Sequence, residues 1–279
     1  MSECTHDCST CSANCASREK QSLIEQPHKG TSIKKVVAVM SGKGGVGKSM
    51  VTALLAVLAQ RAGYKTAILD ADITGPSIPK AFGIKEKAMG NDEGILPVIS
   101  KTGIKMMSVN LLLDDVTKPV VWRGAIIAGT VQQFWKDTIW NADVLLVDCP
   151  PGTGDVPLTV FQCLPLDGVV IVSSPQDLVS MIVQKAAHMA DMMKVPVLGL
   201  VENLSYVVCP DCGKEIRVFG DSHIEEIAEK FGYDLLAKIP MDYKHAALCD
   251  KGWIEMMENN YMESAADALE SKCPVAKED

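Results

Sequence analysis

The sequence predicts an α/β fold, a mostly parallel sheet with helices on both faces, on three observations. Apolar runs at Thr66–Leu69, Val144–Val147, Gly168–Val172 and Val197–Val201 alternate with amphipathic stretches of helical length. A glycine-rich loop, Gly42-Lys43-Gly44-Gly45-Val46-Gly47-Lys48-Ser49, follows the apolar strand Lys35–Met40 and precedes the helical run Met50–Leu58. Two further strands end in carboxylates, Asp70 and Asp148, at the sheet edge where open α/β folds bind ligands.

Each element follows from local pattern. The strand Lys35–Met40 is a continuous apolar run, as expected for a strand covered on both faces. Helices are expected at about 123–139, 176–193, 221–231 and 253–271, and a short strand, Asp234–Ile239, precedes Pro240. No internal repeat appears, so residues 33–279 are read as one domain. Residues 1–32 hold four cysteines, many polar residues and little apolar periodicity, and are read as a flexible extension that metal could order.

The loop fits G-x-x-x-x-G-K-[ST]. Its glycines let successive N–H groups face phosphate oxygens, Lys48 can reach the terminal phosphates, and the Ser49 hydroxyl can ligate Mg2+. Gly42 through Met50 therefore form the expected phosphate cradle of a P-loop NTPase. Asp70 and Asp72, in Asp70-Ala71-Asp72, lie where a carboxylate can orient or deprotonate an attacking water, and Asp148 is where such enzymes place the acid that helps hold Mg2+. Pro150-Pro151-Gly152-Thr153-Gly154-Asp155 joins a stiff segment to glycine hinges, the composition of a switch loop.

Cysteines form two groups. Cys209-Pro210-Asp211-Cys212-Gly213 sets two thiolates on one tight turn, suited to an iron-sulfur cluster or zinc but only half of a four-thiolate site. A two-fold dimer would complete it. Cys4, Cys8, Cys11 and Cys15 supply four thiolates in twelve residues, enough for one metal site whose metal, cluster iron or zinc, the spacing leaves open. Cys149, Cys163, Cys249 and Cys273 are read as packing or incidental thiols.

Bulk properties narrow the role. Lys and Arg number 27 against 35 Asp and Glu, a net charge of −8 with no dense basic run, which disfavours nucleic acid and anionic membranes as partners. The first residues lack a signal-peptide pattern and no apolar run reaches spanning length, so a cytoplasmic location is expected.

Taken together, Ser41–Ser49, Asp70-Ala71-Asp72, Trp122-Arg123-Gly124, Asp148–Asp155, Val201-Glu202-Asn203 and the Cys209/Cys212 turn resemble the Mrp/ApbC family, over about residues 34–271. These are deviant Walker A ATPases that carry iron-sulfur clusters and are similar in fold to MinD, ParA and the nitrogenase iron protein. The resemblance implies ATP as ligand, Lys43 reaching nucleotide across a homodimer, Asp72 activating water, Asp148 with Mg2+, Asn203 at the base, and Cys209 and Cys212 bridging a 4Fe-4S cluster between subunits. It also implies transfer to apo iron-sulfur proteins, with cluster scaffold proteins as further partners. Met50, Ala125 and Trp253 depart from the family pattern without removing a ligand. Three other readings compete: a spatial-organisation ATPase like MinD or ParA, a reductase like the nitrogenase iron protein, and a zinc-stabilised NTPase without cluster transfer. Glu255, Glu258, Glu263, Asp267 and Glu270, read as one acidic final helix, speak against a membrane anchor.

Overall fold

The computed structural model describes residues 23–113, 115, 124–175, 179–258, 260–272 and 274. Cys4, Cys8, Cys11, Cys15, Trp122, Arg123 and Cys273 lie outside them. In chain order the elements are β1 (Ser32–Met40), α1 (Lys48–Arg61), β2 (Thr66–Asp70), α2 (Ile78–Ala81), β3 (Met89–Asn91), β4 (Gly94–Leu96), β5 (Val98–Ile99), β6 (Lys105–Met107), α3 (Gly124–Asp137) and β7 (Asn141–Asp148). They continue with α4 (Asp155–Cys163), β8 (Gly168–Ser173), α5 (Val179–Met193), β9 (Val197–Glu202), β10 (Val207–Val208), β11 (Glu215–Ile216), α6 (Ile224–Phe231), β12 (Leu235–Lys238), α7 (Tyr243–Lys251) and α8 (Glu263–Lys272).

Eight strands form one sheet in the order β12-β9-β8-β1-β7-β2-β6-β5, parallel throughout except where β5 runs against β6. This is the expected architecture. The strands alternate their side chains between two cores. Ala38, Met40, Leu145 and Val147 join Phe134, Trp135, Phe161 and Ile227 from α3, α4 and α6 on one face. Val37, Val39 and Leu146 meet Leu54, Ile78, Ala265 and Leu269 from α1, α2 and α8 on the other. Burial on both faces explains why these strands read as unbroken apolar runs.

Because the central strands are parallel, the ends of β1, β2, β7 and β9 open on one edge. That edge receives the glycine loop, Asp70–Asp72, Asp148–Gly154 and Asn203. The end of the extension is held against the domain: Glu25 donates its N–H to the Cys163 carbonyl at 2.8 Å, and Trp135 Nε1 donates to the Glu25 carbonyl at 2.8 Å.

The expected final helix over 253–271 is corrected. Gly252 adopts φ 71 and caps α7, two short 3-10 turns follow at Ile254–Met256 and Asn260–Met262, and α8 begins only at Glu263. Gly252 ends α7, and Met257, extended at φ −66 and ψ 127, keeps the following turn from running on into α8. The acidic residues therefore do not share one helix face. Glu255 instead accepts from the Ser100 hydroxyl at 2.6 Å and from Thr102, and Glu270 accepts from the Tyr64 hydroxyl.

Candidate functional site

The loop from Gly42 to Gly47 joins β1 to α1, whose first residue is Lys48. Glycine is required where the backbone is left-handed or crowded. Gly47 meets both conditions: its φ is 76, and a Cβ there would lie 2.2 Å from Asn203 Nδ2. A Cβ on Gly42 would lie 2.3 Å from Ile182 Cγ2 of α5. Asn203 Nδ2 donates to the Val46 carbonyl at 2.8 Å, so the end of β9 braces the loop from behind. On the other side, Gly152 of the Pro150–Asp155 segment donates its N–H to the Ser41 carbonyl at 2.8 Å.

In front of the loop lies a cleft of about 340 Å³, lined by Lys43 through Met50, Asp72, Lys80, Pro151 and Asp250. Lys43 is half-buried at its rim.

Beneath the loop the charges are paired. Lys48 Nζ lies 2.5 Å from Asp148 Oδ1, and the side chains are 6% and 0% exposed. The Thr52 hydroxyl shares its proton between Asp148 Oδ1 at 2.8 Å and the Lys48 carbonyl at 3.0 Å. Burial would lower the Lys48 pKa, but the Asp148 charge and hydrogen bond outweigh it and hold the ammonium above its usual range. Asp148 Oδ2 is buried and has no partner among the described residues. An orphaned buried carboxylate oxygen, with the Ser49 hydroxyl 3.4 Å from the same ammonium, is a hard-oxygen donor set that fits Mg2+.

The two carboxylates after β2 separate into different environments. Asp70, register partner of Asp148, is fully buried; it accepts from the Ser108 hydroxyl at 3.0 Å and from the Asp72 N–H at 3.2 Å. Burial first, and then the Asp148 charge, push its carboxyl up to about 8. Asp72 instead lines the cleft, its Oδ1 accepting from the Thr74 hydroxyl and the Gly75 N–H, both at 3.2 Å. Of the two, Asp72 is the one placed to meet a water in the cleft.

Cys209 and Cys212 lie at the tip of the β10–β11 hairpin, where Val207 pairs with Ile216 and Val208 with Glu215. Cys209 donates its N–H to the Lys214 carbonyl and accepts from the Gly213 N–H, each at 2.9 Å, and Gly213 takes φ 72 to close the turn. The Cys212 and Asp211 N–H groups, followed by the Cys212 side chain, hold the Cys209 thiol below its usual range. Both cysteines reach solvent, and no group of three or more His, Cys, Asp or Glu able to hold a metal occurs among the described residues.

Cys149 and Cys163 are buried, as expected of packing thiols, and burial pushes Cys149 up to about 12. Cys249 differs: it is half-buried and lines the nucleotide cleft beside Asp250. Asp250 in turn pairs with Lys80 of α2 at 2.9 Å. Nothing in the linear sequence near α7 signals this approach, because it depends on the close backbone contact of Gly83 with Gly252; a Cβ on Gly252 would lie 2.3 Å from Gly83 Cα.

Residues 32–273 match the family model described as ParA: NUBPL iron-transfer P-loop NTPase. The iron-sulfur cluster carrier protein of Methanocaldococcus jannaschii is 42% identical over 260 residues, covering 90% of each chain. That of Clostridium perfringens is 45% identical over 264 residues, covering 87% of this chain and 93% of its own. Among solved structures, a nucleotide-binding protein from Archaeoglobus fulgidus in complex with ADP is 46% identical with a TM-score of 0.75, over 83% of this chain and 91% of that one. The cell division ATPase MinD of Pyrococcus furiosus shares the fold at 16% identity and a TM-score of 0.61, over 85% of this chain and 98% of its own.

Proposed function

This chain belongs to the NUBPL iron-transfer family of P-loop NTPases, and from that premise we propose that it is an ATP-dependent carrier that binds a 4Fe-4S cluster between two copies of itself and delivers it to apo-proteins. One observation carries the reading: a two-thiol hairpin, incomplete as a metal site, begins four residues after Asn203, which braces the phosphate loop.

The residues divide the work. Backbone N–H groups from Gly42 through Met50 and the Lys48 ammonium bind the phosphates, and a phosphate entering the cleft competes with Asp148 for that ammonium. Ser49 and Asp148 would hold Mg2+, which when bound neutralises phosphate charge. Asp72, open to the cleft, orients and accepts a proton from water. Lys43 acts on the nucleotide of a second copy, so hydrolysis depends on dimer geometry, and Asn203 contacts the base. Cys209 and Cys212 supply two thiolates to the cargo and the second copy supplies two more.

The net charge of −8 supports protein partners, apo iron-sulfur proteins and cluster scaffolds, over nucleic acid or membrane in a cytoplasmic setting. Among the described residues no helix is long and apolar enough to cross a membrane. Residues 1–32 are proposed as a separate extension, with Cys4, Cys8, Cys11 and Cys15 holding a second cluster or zinc, and 33–279 as the ATPase domain. Mixing the reconstituted protein with an apo-acceptor tests the function. Acceptor activation that needs the loaded carrier supports it, and acceptor activated equally by free iron and sulfide removes the carrier role.

A further inference from the structure

Glu202 is a carboxylate with no solvent exposure at the end of β9, and none of the roles above uses it. Its Oε2 accepts from the Ser205 hydroxyl at 2.5 Å, and its Oε1 accepts from Ser222, whose oxygen also receives the Ile224 N–H at the start of α6. Between Glu202 and Ser205 the chain makes a tight turn in which Leu204 takes φ 60, a left-handed conformation that leucine disfavours. Surrounding contacts must therefore hold the turn.

They do so on both sides of Leu204. Asn203 donates its N–H to the Ser173 carbonyl at 2.9 Å; Ser205 donates to the Ile239 carbonyl at 2.9 Å; Ile239 donates back to the Glu202 carbonyl at 2.8 Å; Met241 donates to the Tyr206 carbonyl at 2.7 Å. At one end of this segment the Asn203 amide touches the phosphate loop, by its hydrogen bond to Val46 and by filling the space that Gly47 leaves. At the other end, Tyr206 leads directly into β10 and Cys209. Cys209 is the sixth residue after Asn203, a reach of at most about 20 Å.

We infer that Glu202 is a positioning residue that stiffens the Asn203–Tyr206 turn into a strut, so that a displacement of the phosphate loop at Val46 is carried into the Cys209–Cys212 hairpin. Without the Glu202–Ser205 tie, the left-handed turn at Leu204 is the natural place for such a displacement to be absorbed. The inference rests on the reading of the loop as the nucleotide site, but it does not require that the hairpin carry a cluster.

The test is alkylation of the metal-free full-length chain with iodoacetamide, read at Cys209 and Cys212 separately by mass spectrometry, with Mg-ADP and with Mg and a non-hydrolysable ATP analogue. In the wild-type chain the two nucleotides should change the rates by about fivefold or more, the lower end of ordinary coupling between sites. Ser205→Ala should bring the ratio to within about twofold while nucleotide affinity stays within about twofold, whereas Ser222→Ala, which cuts only the tie to α6, should preserve the ratio. Should Ser205→Ala fail to fold, Leu204→Gly decides, because glycine accepts φ 60 without strain yet leaves the turn pliable. Rates insensitive to nucleotide in the wild-type chain, or a ratio that survives in the decisive variant, overturn the strut. A responsive hairpin on a protein that binds no cluster upholds the strut and removes the carrier reading.

Discussion

Lys48 Nζ and Asp148 Oδ1 form a buried 2.5 Å ion pair directly under the phosphate loop. Losing one partner of such a pair strands the other charge, whereas replacing both is far less costly. Lys48→Met should therefore lower stability in urea by about 3–5 kcal/mol, and Lys48→Met/Asp148→Asn should recover most of that loss while binding no nucleotide. A double variant as unstable as the single one would show that the pair is not the source of the cost.

Asp70 gives the site a pH dependence of defined sign. Its carboxyl is raised from 3.8 to about 8 in the folded protein, so between those values the folded chain keeps a proton that the unfolded chain has lost. Its contribution is fully present below about pH 4 and falls as pH rises through about 8. Asp70→Asn can still accept from the Asp72 N–H and meet Ser108, so it should come closest to the wild-type chain near pH 4 and exceed it in urea stability by a growing margin up to pH 8.5. Equal stability of the two proteins at pH 8.5 would mean that Asp70 titrates normally.

Gly47→Ala should abolish nucleotide binding with little loss of fold, because the new methyl would stand 2.2 Å from Asn203 Nδ2 and the residue must keep φ 76. Titration with a fluorescent ATP analogue reads this, and near-normal affinity would contradict the bracing of the loop by Asn203.

Thiol reactivity should be graded by environment. Cys209, lowered by neighbouring N–H groups, should react with iodoacetamide at pH 7.5 well before Cys149, which burial pushes up to about 12. Residue-specific mass spectrometry checks the order, and early modification of Cys149 would show that the core opens on the labelling timescale.

Much of this was legible in the sequence because it depends on local order. The glycine loop between strand and helix, Asp148 at the end of an apolar strand and the Cys209/Cys212 turn each need only neighbours in the chain to be recognised. What escaped depends on contacts distant in sequence. Asp70 and Asp72 look alike in a line of text, where only the family resemblance singles out Asp72; the burial of one beside Asp148 and the opening of the other to the cleft supply the physical reason. The helix expected over 253–271 begins only at Glu263, because the chain leaves the Ile254–Met256 turn extended at Met257 and makes a second 3-10 turn first. No helix is expected directly after Asp155, yet α4 forms with Pro157 in its first turn, where the missing N–H costs nothing.

The central claim, cargo shared between two copies through Cys209 and Cys212, is tested most directly by iron and sulfide analysis after anaerobic reconstitution of the wild-type chain and Cys209→Ala/Cys212→Ala. A 4Fe-4S cluster bridging two chains predicts that the variant holds about two fewer irons per chain and sediments as a monomer where the loaded wild-type chain is a dimer. Equal iron content and an unchanged absorption spectrum in the two proteins would contradict it.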